Sequence, residues 1–240
     1  MWVRVPQSAP NLSIAFQPLG ERWRQMTAPL AYRNMSVPVK FFLNSHRALT
    51  DGRSGIRCLE QHLASESFLL SDWKVIWIGV CAVLRVAVTL FQVDAKSCIS
   101  RAIRDEIANE WNSIALNKAD HLIFWEFLWK ERNNILHQYE WAAFEAWMHE
   151  DGTIDVSPKG LMSIKPDETM NVLLMRGGHY HGRDSLELLQ ESADWVEERI
   201  FSAIRRAGFD PNESRTLGAF TPAPSTMAPK TILGEAVETN

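Results

Sequence analysis

Residues 121–149, HLIFWEFLWKERNNILHQYEWAAFEAWMH, are rich in aromatic and large aliphatic side chains. On a helical wheel these side chains form one broad apolar side, and the opposite side is polar. The polar stripe consists of Glu126, Lys130, Asn133, Asn134, His137 and Glu140. Asp120 precedes the stretch as a potential N-cap. The pattern predicts a single long helix over about 121–149, apolar on so much of its surface that it is expected to be largely buried.

Further helical segments surround this long helix. They are predicted over Val39–Ala48, Ile56–Glu66, about 73–93, a segment capped by Ser97, and about 184–207. Thr50–Gly55 is expected to interrupt the first pair. In the segment after Ser97, isoleucines and Trp111 recur at spacings of four and three, which places them on one buried stripe. Long helices with short connections predict a mainly α fold, an antiparallel helical bundle.

The pattern changes between residues 151 and 182. Thr153–Val156 alternates, Asn171–Met175 is a short apolar run, and Gly177 with Gly178 marks a turn, so a small β-hairpin insertion is expected before the last helix. Asp184 is the expected N-cap of that helix. The predicted organisation is an irregular, proline-rich N-terminal arm (1–38), a helical bundle domain (39–208) and a disordered tail (209–240).

Composition narrows the class of protein. The chain has 240 residues, 46% of them hydrophobic and 22% charged, which is typical of a folded globular protein. A net charge of −4 argues against a general nucleic-acid coat, because sequence-independent binding depends on Lys and Arg. The three cysteines are widely spaced and odd in number, so no disulfide framework is expected, and the N-terminus has no apolar signal segment. Both features favour a cytoplasmic location.

Trp73–Val93 is nearly long enough to span a bilayer, but Arg85 near its middle favours a buried core helix, so no membrane partner is expected.

The polar stripe allows two interpretations. In the first it is a solvated helix face, laced by pairs such as Glu126 with Lys130 and Asn133 with His137 at a spacing of four. Such pairs contribute only about 0.2–0.5 kcal/mol each and imply no site. In the second, the segment Arg132-Asn133-Asn134-Ile135-Leu136-His137 carries a function.

That segment resembles the signature of HEPN-domain proteins, an arginine and a histidine separated by four to six residues. HEPN domains are helical bundles that commonly dimerise, and many are metal-independent ribonucleases of toxin and antiviral systems, while others have lost catalysis. The resemblance implies a homodimer that acts on RNA without a cofactor, together with an antitoxin-like or regulatory protein partner. It implies catalytic roles for Arg132, His137 and Asn133, and binding roles for Lys130 and Asn134.

The residue types suit metal-free RNA cleavage. Histidine titrates near neutral pH and accepts the proton of a 2′-hydroxyl. The planar fork of arginine matches the oxygens of a crowded phosphate. At a spacing of five, Arg132 and His137 diverge by about 140° on a regular helix. One copy therefore does not close on one phosphate, and two copies across a dimer axis are expected to share the site.

Two other interpretations remain open. The protein is alternatively a non-catalytic helical interaction protein, whose polar stripe binds a protein partner or a nucleotide. His179 and His181 flank Tyr180 in a glycine-rich segment. A metal site there needs at least one further ligand, and the simpler expectation is a tight turn with exposed polar residues.

Overall fold

The computed structural model describes residues 35–65, 72–156 and 168–220, and the fold they form is mainly α, as predicted. The helices are α1 (Asn44–Leu63), α2 (Asp72–Ser97), α3 (Arg101–Leu116), α4 (Trp129–Gln138) and α5 (Ser185–Arg206). The strands are β1 (Ser36–Pro38), β2 (Ala143–His149), β3 (Ile154–Val156), β4 (Thr169–Met175) and β5 (Ser214–Thr216). Most of the predicted N-terminal arm and the end of the predicted tail lie outside the described residues.

The predicted interruption at Thr50–Gly55 is absent, because α1 runs through it without a break. Gly52 and Gly55 instead allow α2 to approach closely. A Cβ atom at Gly52 would lie 2.6 Å from Cδ2 of Leu84, and one at Gly55 would lie 2.7 Å from Cγ2 of Val80. The glycines therefore mark a close helix–helix contact, in which the missing side chains make room for the neighbour.

Neighbouring helices in the bundle run antiparallel. Asn44 near the start of α1 contacts Asp94 near the end of α2, whereas Gly55, further along α1, faces Val80. The segment before α4 also runs antiparallel to α2. It is a π-helix, Ile123–Leu128, that leads directly into α4, and contacts between aromatic and charged side chains join it to the inner side of α2. The antiparallel order follows the short connections, as the sequence predicts.

The first turn of α1 is capped from another helix. Leu43 occupies the N-cap position and its side chain makes no capping hydrogen bond. The buried carboxylate of Asp94 on α2 accepts from the backbone N–H of Ser45 at 2.9 Å and of Asn44 at 3.3 Å. Asp94 therefore satisfies backbone donors that helix starts leave unpaired, and it fixes the end of α2 against the start of α1.

The long helix predicted over 121–149 is much shorter. A 3₁₀ turn precedes the π-helix, α4 ends at Gln138, and Tyr139 takes the left-handed conformation with φ 54°. The next residues form strand β2, which pairs with β3 on one side and β4 on the other. Pairing on both edges outweighs the helical pattern of that segment. Phe144, Ala146 and Met148 alternate along β2 and pack together with residues of β4, a period-two pattern that the helical wheel obscured.

The last helix follows the prediction closely. Asp184 is its N-cap, and its carboxylate accepts from the backbone N–H groups of Leu186 and Glu187. The predicted stripe is buried throughout: Leu189, Ala193, Val196, Ile200 and Ile204.

Two other predictions need correction. The N-cap of α3 is Ser100 and not Ser97. The predicted disorder from residue 209 is wrong for residues 209–220, because Ser214–Thr216 pairs with β1.

The cysteines differ in their surroundings. All three are free thiols; Cys58 is exposed on α1, whereas Cys81 and Cys98 are buried. Burial raises the pKa of the Cys81 thiol well above its usual range, and it also raises that of Cys98. The two buried thiols therefore behave as small apolar groups of the core.

Helix α2 combines a buried side with an exposed apolar one. Trp73, Trp77 and Leu84 are fully buried, whereas Val75 and Val86 are exposed. By length and composition this helix is apolar enough to cross a membrane. Core helices of soluble proteins meet the same criteria.

Candidate functional site

A π-helix stands immediately before the Arg/His motif. Residues Ile123–Leu128 form it, and α4 begins at the next residue. Such distortions of the helical register are rare and occur frequently at functional sites. Lys130 to His137 therefore occupy a short regular helix that begins at a distortion and ends at the left-handed Tyr139.

Arg132 is half-buried and pairs with no carboxylate among the described residues. Its Nη1 donates to Oδ1 of the adjacent Asn133 at 3.0 Å. Other half-buried arginines form ion pairs: Arg53 with Asp194, and Arg199 with Glu110. Removing a guanidinium from water without a counter-charge is costly. The geometry leaves Arg132 available to an anion, with Asn133 holding its side chain.

A second arginine, Arg85, lies near Arg132. In the sequence it served only as an argument against a membrane-spanning helix. Arg85 on α2 stacks over the ring of Phe124 with its Cζ 5.3 Å from the centroid, and its Nη1 donates to Thr89 at 2.7 Å. Burial lowers the pKa of Arg85, and the positive charge of Arg132 lowers it further. Within the described segments Arg85 also lacks a carboxylate partner. A charge in the middle of an otherwise apolar helix is the sequence signal from which Arg85 could have been identified.

The remaining motif residues are spread around α4. His137 is exposed in its last turn, and it is not among the residues that line the groove described below. Lys130 forms an ion pair with Glu126 one turn earlier, as the solvated-face interpretation predicts. Asn134 lines that groove. One chain therefore brings Arg132 and Asn133 together but leaves His137 apart, in agreement with their angular separation of about 140°.

Two large apolar side chains next to the motif residues are exposed to solvent. Trp129 is 40% exposed and Leu136 is 55% exposed. At spacings of four, seven and eight from Trp129, the residues Asn133, Leu136 and His137 share its side of the helix. An exposed Trp and Leu beside a histidine and an amide form the kind of mixed surface that protein interfaces cover.

Glu131, which stands between Lys130 and Arg132 on α4, has a structural role. Glu131 is 2% exposed, and its carboxylate accepts from the indole N–H of Trp77 at 2.9 Å and from the backbone N–H of Ala142 at 3.0 Å. Burial raises its pKa, an effect that these hydrogen bonds partly offset. Glu131 thereby holds α4 against α2 and fixes the chain that enters β2. Sequence reasoning missed it, because the residue that it caps follows the unforeseen end of the helix.

A groove of about 1170 Å³ opens beside the end of α4. Its lining comes from the start of α2, the end of α4, strand β2 and the turn after β4. Aromatic and charged side chains dominate that lining: Trp73, Lys74, Tyr139, Glu140, Trp141, Phe144, Glu145, Arg176 and His181. Asn134 is the motif residue that reaches it.

The turn after β4 presents His181 in a fixed form. Backbone hydrogen bonds join Gly182 N–H to Met175 C=O at 2.8 Å and Arg176 N–H to Ala142 C=O at 2.8 Å. Gly178 and Gly182 have positive φ, which favours glycine in this turn. His181 Nδ1 lies 2.7 Å from the carbonyl oxygen of Arg176. A carbonyl only accepts, so Nδ1 carries the proton and Nε2 remains the basic nitrogen of the neutral ring.

Neither His179 nor His181 belongs to a metal cluster in the part of the chain that the structure describes, where no three His, Cys, Asp or Glu side chains are grouped as ligands. The segment is a tight glycine turn with exposed polar side chains, the simpler of the two expectations for it. The turn contributes one side of the groove.

Comparisons with protein-family models, curated proteins and solved structures find no match to this chain. The resemblance to HEPN proteins therefore rests on the motif residues and their helical setting.

Proposed function

We propose that this protein is a HEPN-like, metal-independent endoribonuclease, in which Arg132 and His137 from two copies of the chain form a composite site at a homodimer interface. The observation that supports this most directly is the mixed surface of α4. His137 and Asn133 share a helix side with the exposed Trp129 and Leu136. A second copy that covers these apolar side chains would also enclose the motif.

The charge distribution supports a phosphate ligand. Arg132 and Arg85 lie on neighbouring helices, and each is half-buried with hydrogen bonds to neutral side chains. A phosphodiester supplies the missing negative charge, and guanidinium groups bind its oxygens in a bidentate manner.

In the proposed reaction, a histidine accepts the proton of a ribose 2′-hydroxyl while that oxygen bonds to the adjacent phosphorus. Arg132 stabilises the additional negative charge on the phosphorane oxygens. The bond from phosphorus to the 5′-oxygen then breaks, and a protonated histidine of the second chain donates a proton to that oxygen. The products are a 2′,3′-cyclic phosphate and a 5′-hydroxyl.

The test is RNA cleavage by the purified protein in EDTA. Wild type is expected to cleave and to leave 2′,3′-cyclic phosphate ends. Arg132→Ala and His137→Ala are each expected to reduce the rate by about 100-fold or more. Gln138→Ala, an exposed change on the same helix, is the matched control and should retain activity. Full cleavage by both motif variants, with cooperative melting, contradicts the proposal.

The alternative function is a non-catalytic helical interaction protein. The exposure of Trp129 and Leu136 favours it as well, since a different protein covering this surface would remove the same apolar area from water. Light scattering separates the two proposals. The ribonuclease requires a dimer that Leu136→Glu converts to monomers with loss of cleavage. A wild-type monomer that cleaves no RNA favours the interaction protein.

A further inference from the structure

We propose that the groove beside the end of α4 binds a segment of single-stranded RNA, with Lys74 and Arg176 on its phosphates and the rings of Trp141 and Phe144 against its bases. The inference deepens the proposed function and rests on it for the identity of the ligand. It places the substrate chain on a surface that meets the Arg/His motif at Asn134.

The size of the groove suits a polymer. Its volume of about 1170 Å³ exceeds the roughly 300–1,000 Å³ of pockets that hold small ligands. Asn134 connects it to the motif helix, since this side chain lines the groove. His137 follows one turn later on an adjacent part of the helix surface, whereas Arg132 lies on the opposite side. A strand bound in the groove is therefore directed towards α4.

Two cations in the lining lie over aromatic rings. Lys74 Nζ lies 5.6 Å from the ring centroid of Trp141, and Arg176 Cζ lies 5.7 Å from that of Phe144. Neither cation forms a salt bridge within the described segments. Proteins that bind single strands combine backbone-tracking positive charge with aromatic faces on which successive bases stack. Both components are present here on adjacent side chains.

His181 adds a directional contact. Because its Nδ1 is committed to the carbonyl oxygen of Arg176, Nε2 is left to accept a hydrogen bond from a base or a ribose hydroxyl when the ring is neutral. The rigid turn that carries His181 also carries Arg176. One preorganised segment thus supplies both a phosphate contact and a hydrogen-bonding group.

Two carboxylates in the groove oppose an anionic ligand. Glu145 accepts a hydrogen bond from the indole of Trp73, and burial raises its pKa. Glu140 is exposed. A phosphate near it is repelled, so the charge of Glu140 is expected to weaken binding, and its removal gives a test in the opposite direction.

The experiment uses the full chain and a fluorescent 2′-O-methyl oligonucleotide, which binds like RNA but lacks the 2′-hydroxyl needed for cleavage. Affinity is measured by anisotropy over a range of salt concentrations. Lys74→Gln and Arg176→Gln are each expected to weaken binding and to reduce the salt slope by about 0.7. Arg101→Gln makes the same charge change at an exposed position of α3 and should leave both the affinity and the salt slope unchanged.

Two further variants test stacking and repulsion. Trp141→Leu is expected to weaken binding by about 5- to 150-fold, the loss of one stacked base, and Glu140→Gln to tighten it. If Trp141→Leu fails to fold, the surface variants of Lys74 and Arg176 still test the groove.

The outcomes separate the two proposals. Binding that depends on Lys74 and Arg176, without cleavage of ordinary RNA, supports the groove and contradicts the catalytic proposal. Cleavage by wild type, with binding that is the same in Lys74→Gln, Arg176→Gln and Arg101→Gln, overturns the groove alone. Absence of any binding by wild type also overturns it.

Discussion

Two helix-interior glycines should respond oppositely to the same substitution. A Cβ atom at Gly55 on α1 would lie 2.7 Å from Cγ2 of Val80, whereas a Cβ atom at Gly79 on α2 would meet nothing within 4 Å among the described residues. Alanine at either position gains about 1 kcal/mol of helix propensity relative to glycine. Gly79→Ala should therefore raise the free energy of unfolding by about 0.5–1 kcal/mol.

At Gly55 the added methyl group must displace its neighbour. Val80 is buried, and its branched side chain is restricted about χ1, so it does not rotate away cheaply. Overpacking of this kind costs about 1–3 kcal/mol. After the gain in helix propensity, Gly55→Ala is expected to lower the free energy of unfolding by up to about 2 kcal/mol. The two variants should therefore differ by about 1–3 kcal/mol.

Urea unfolding followed by tryptophan fluorescence measures this difference, because Trp73 and Trp77 are buried on α2. Equal slopes in urea are needed so that the midpoints report stability. If Gly55→Ala is as stable as Gly79→Ala or more so, the close approach of α1 and α2 is wrong. Gly55→Ser is a second probe and should destabilise at least as much as Gly55→Ala.

Two buried carboxylates give further predictions. Asp94→Ala removes the acceptor for the backbone N–H groups of Asn44 and Ser45, so melting should show a loss of about 1–3 kcal/mol; an unchanged melting temperature contradicts the cap. Glu131 has a raised pKa, so the folded state holds its proton more tightly than the unfolded chain. Wild-type stability should fall as pH rises from about 4.5 through this titration, and urea midpoints of Glu131→Gln should lack that slope; parallel pH profiles contradict it.

The helices that were predicted correctly are specified by features of their own sequence. The stripe of α5 has a clean period and an N-cap at Asp184, and both are local features of the chain. The failures involve distant partners. The helical wheel extended α4 into β2 because pairing of Ala143–His149 with β3 and β4 is not encoded in local periodicity. Likewise, Gly52 and Gly55 resemble a break until α2 is placed beside them.

The candidate site shows the same division. The motif residues were identified by type and spacing alone, and the divergence of Arg132 from His137 follows from helix geometry. The role of Glu131 and the proximity of Arg85 depend on how α2 packs against α4, which one sequence does not specify. The groove required the turn at Arg176 to fold next to Ala142, again a contact between segments distant in the chain.

The unequal cysteines make the chain suited to single-site labelling. Cys58 is exposed, whereas the thiols of Cys81 and Cys98 are buried and their pKa values are raised, so a maleimide spin label should modify the native protein at Cys58. In a two-fold dimer the labels on the two chains form one pair with one distance. The distance between the two labels on Cys58 would therefore report how the protomers are arranged, without any substitution.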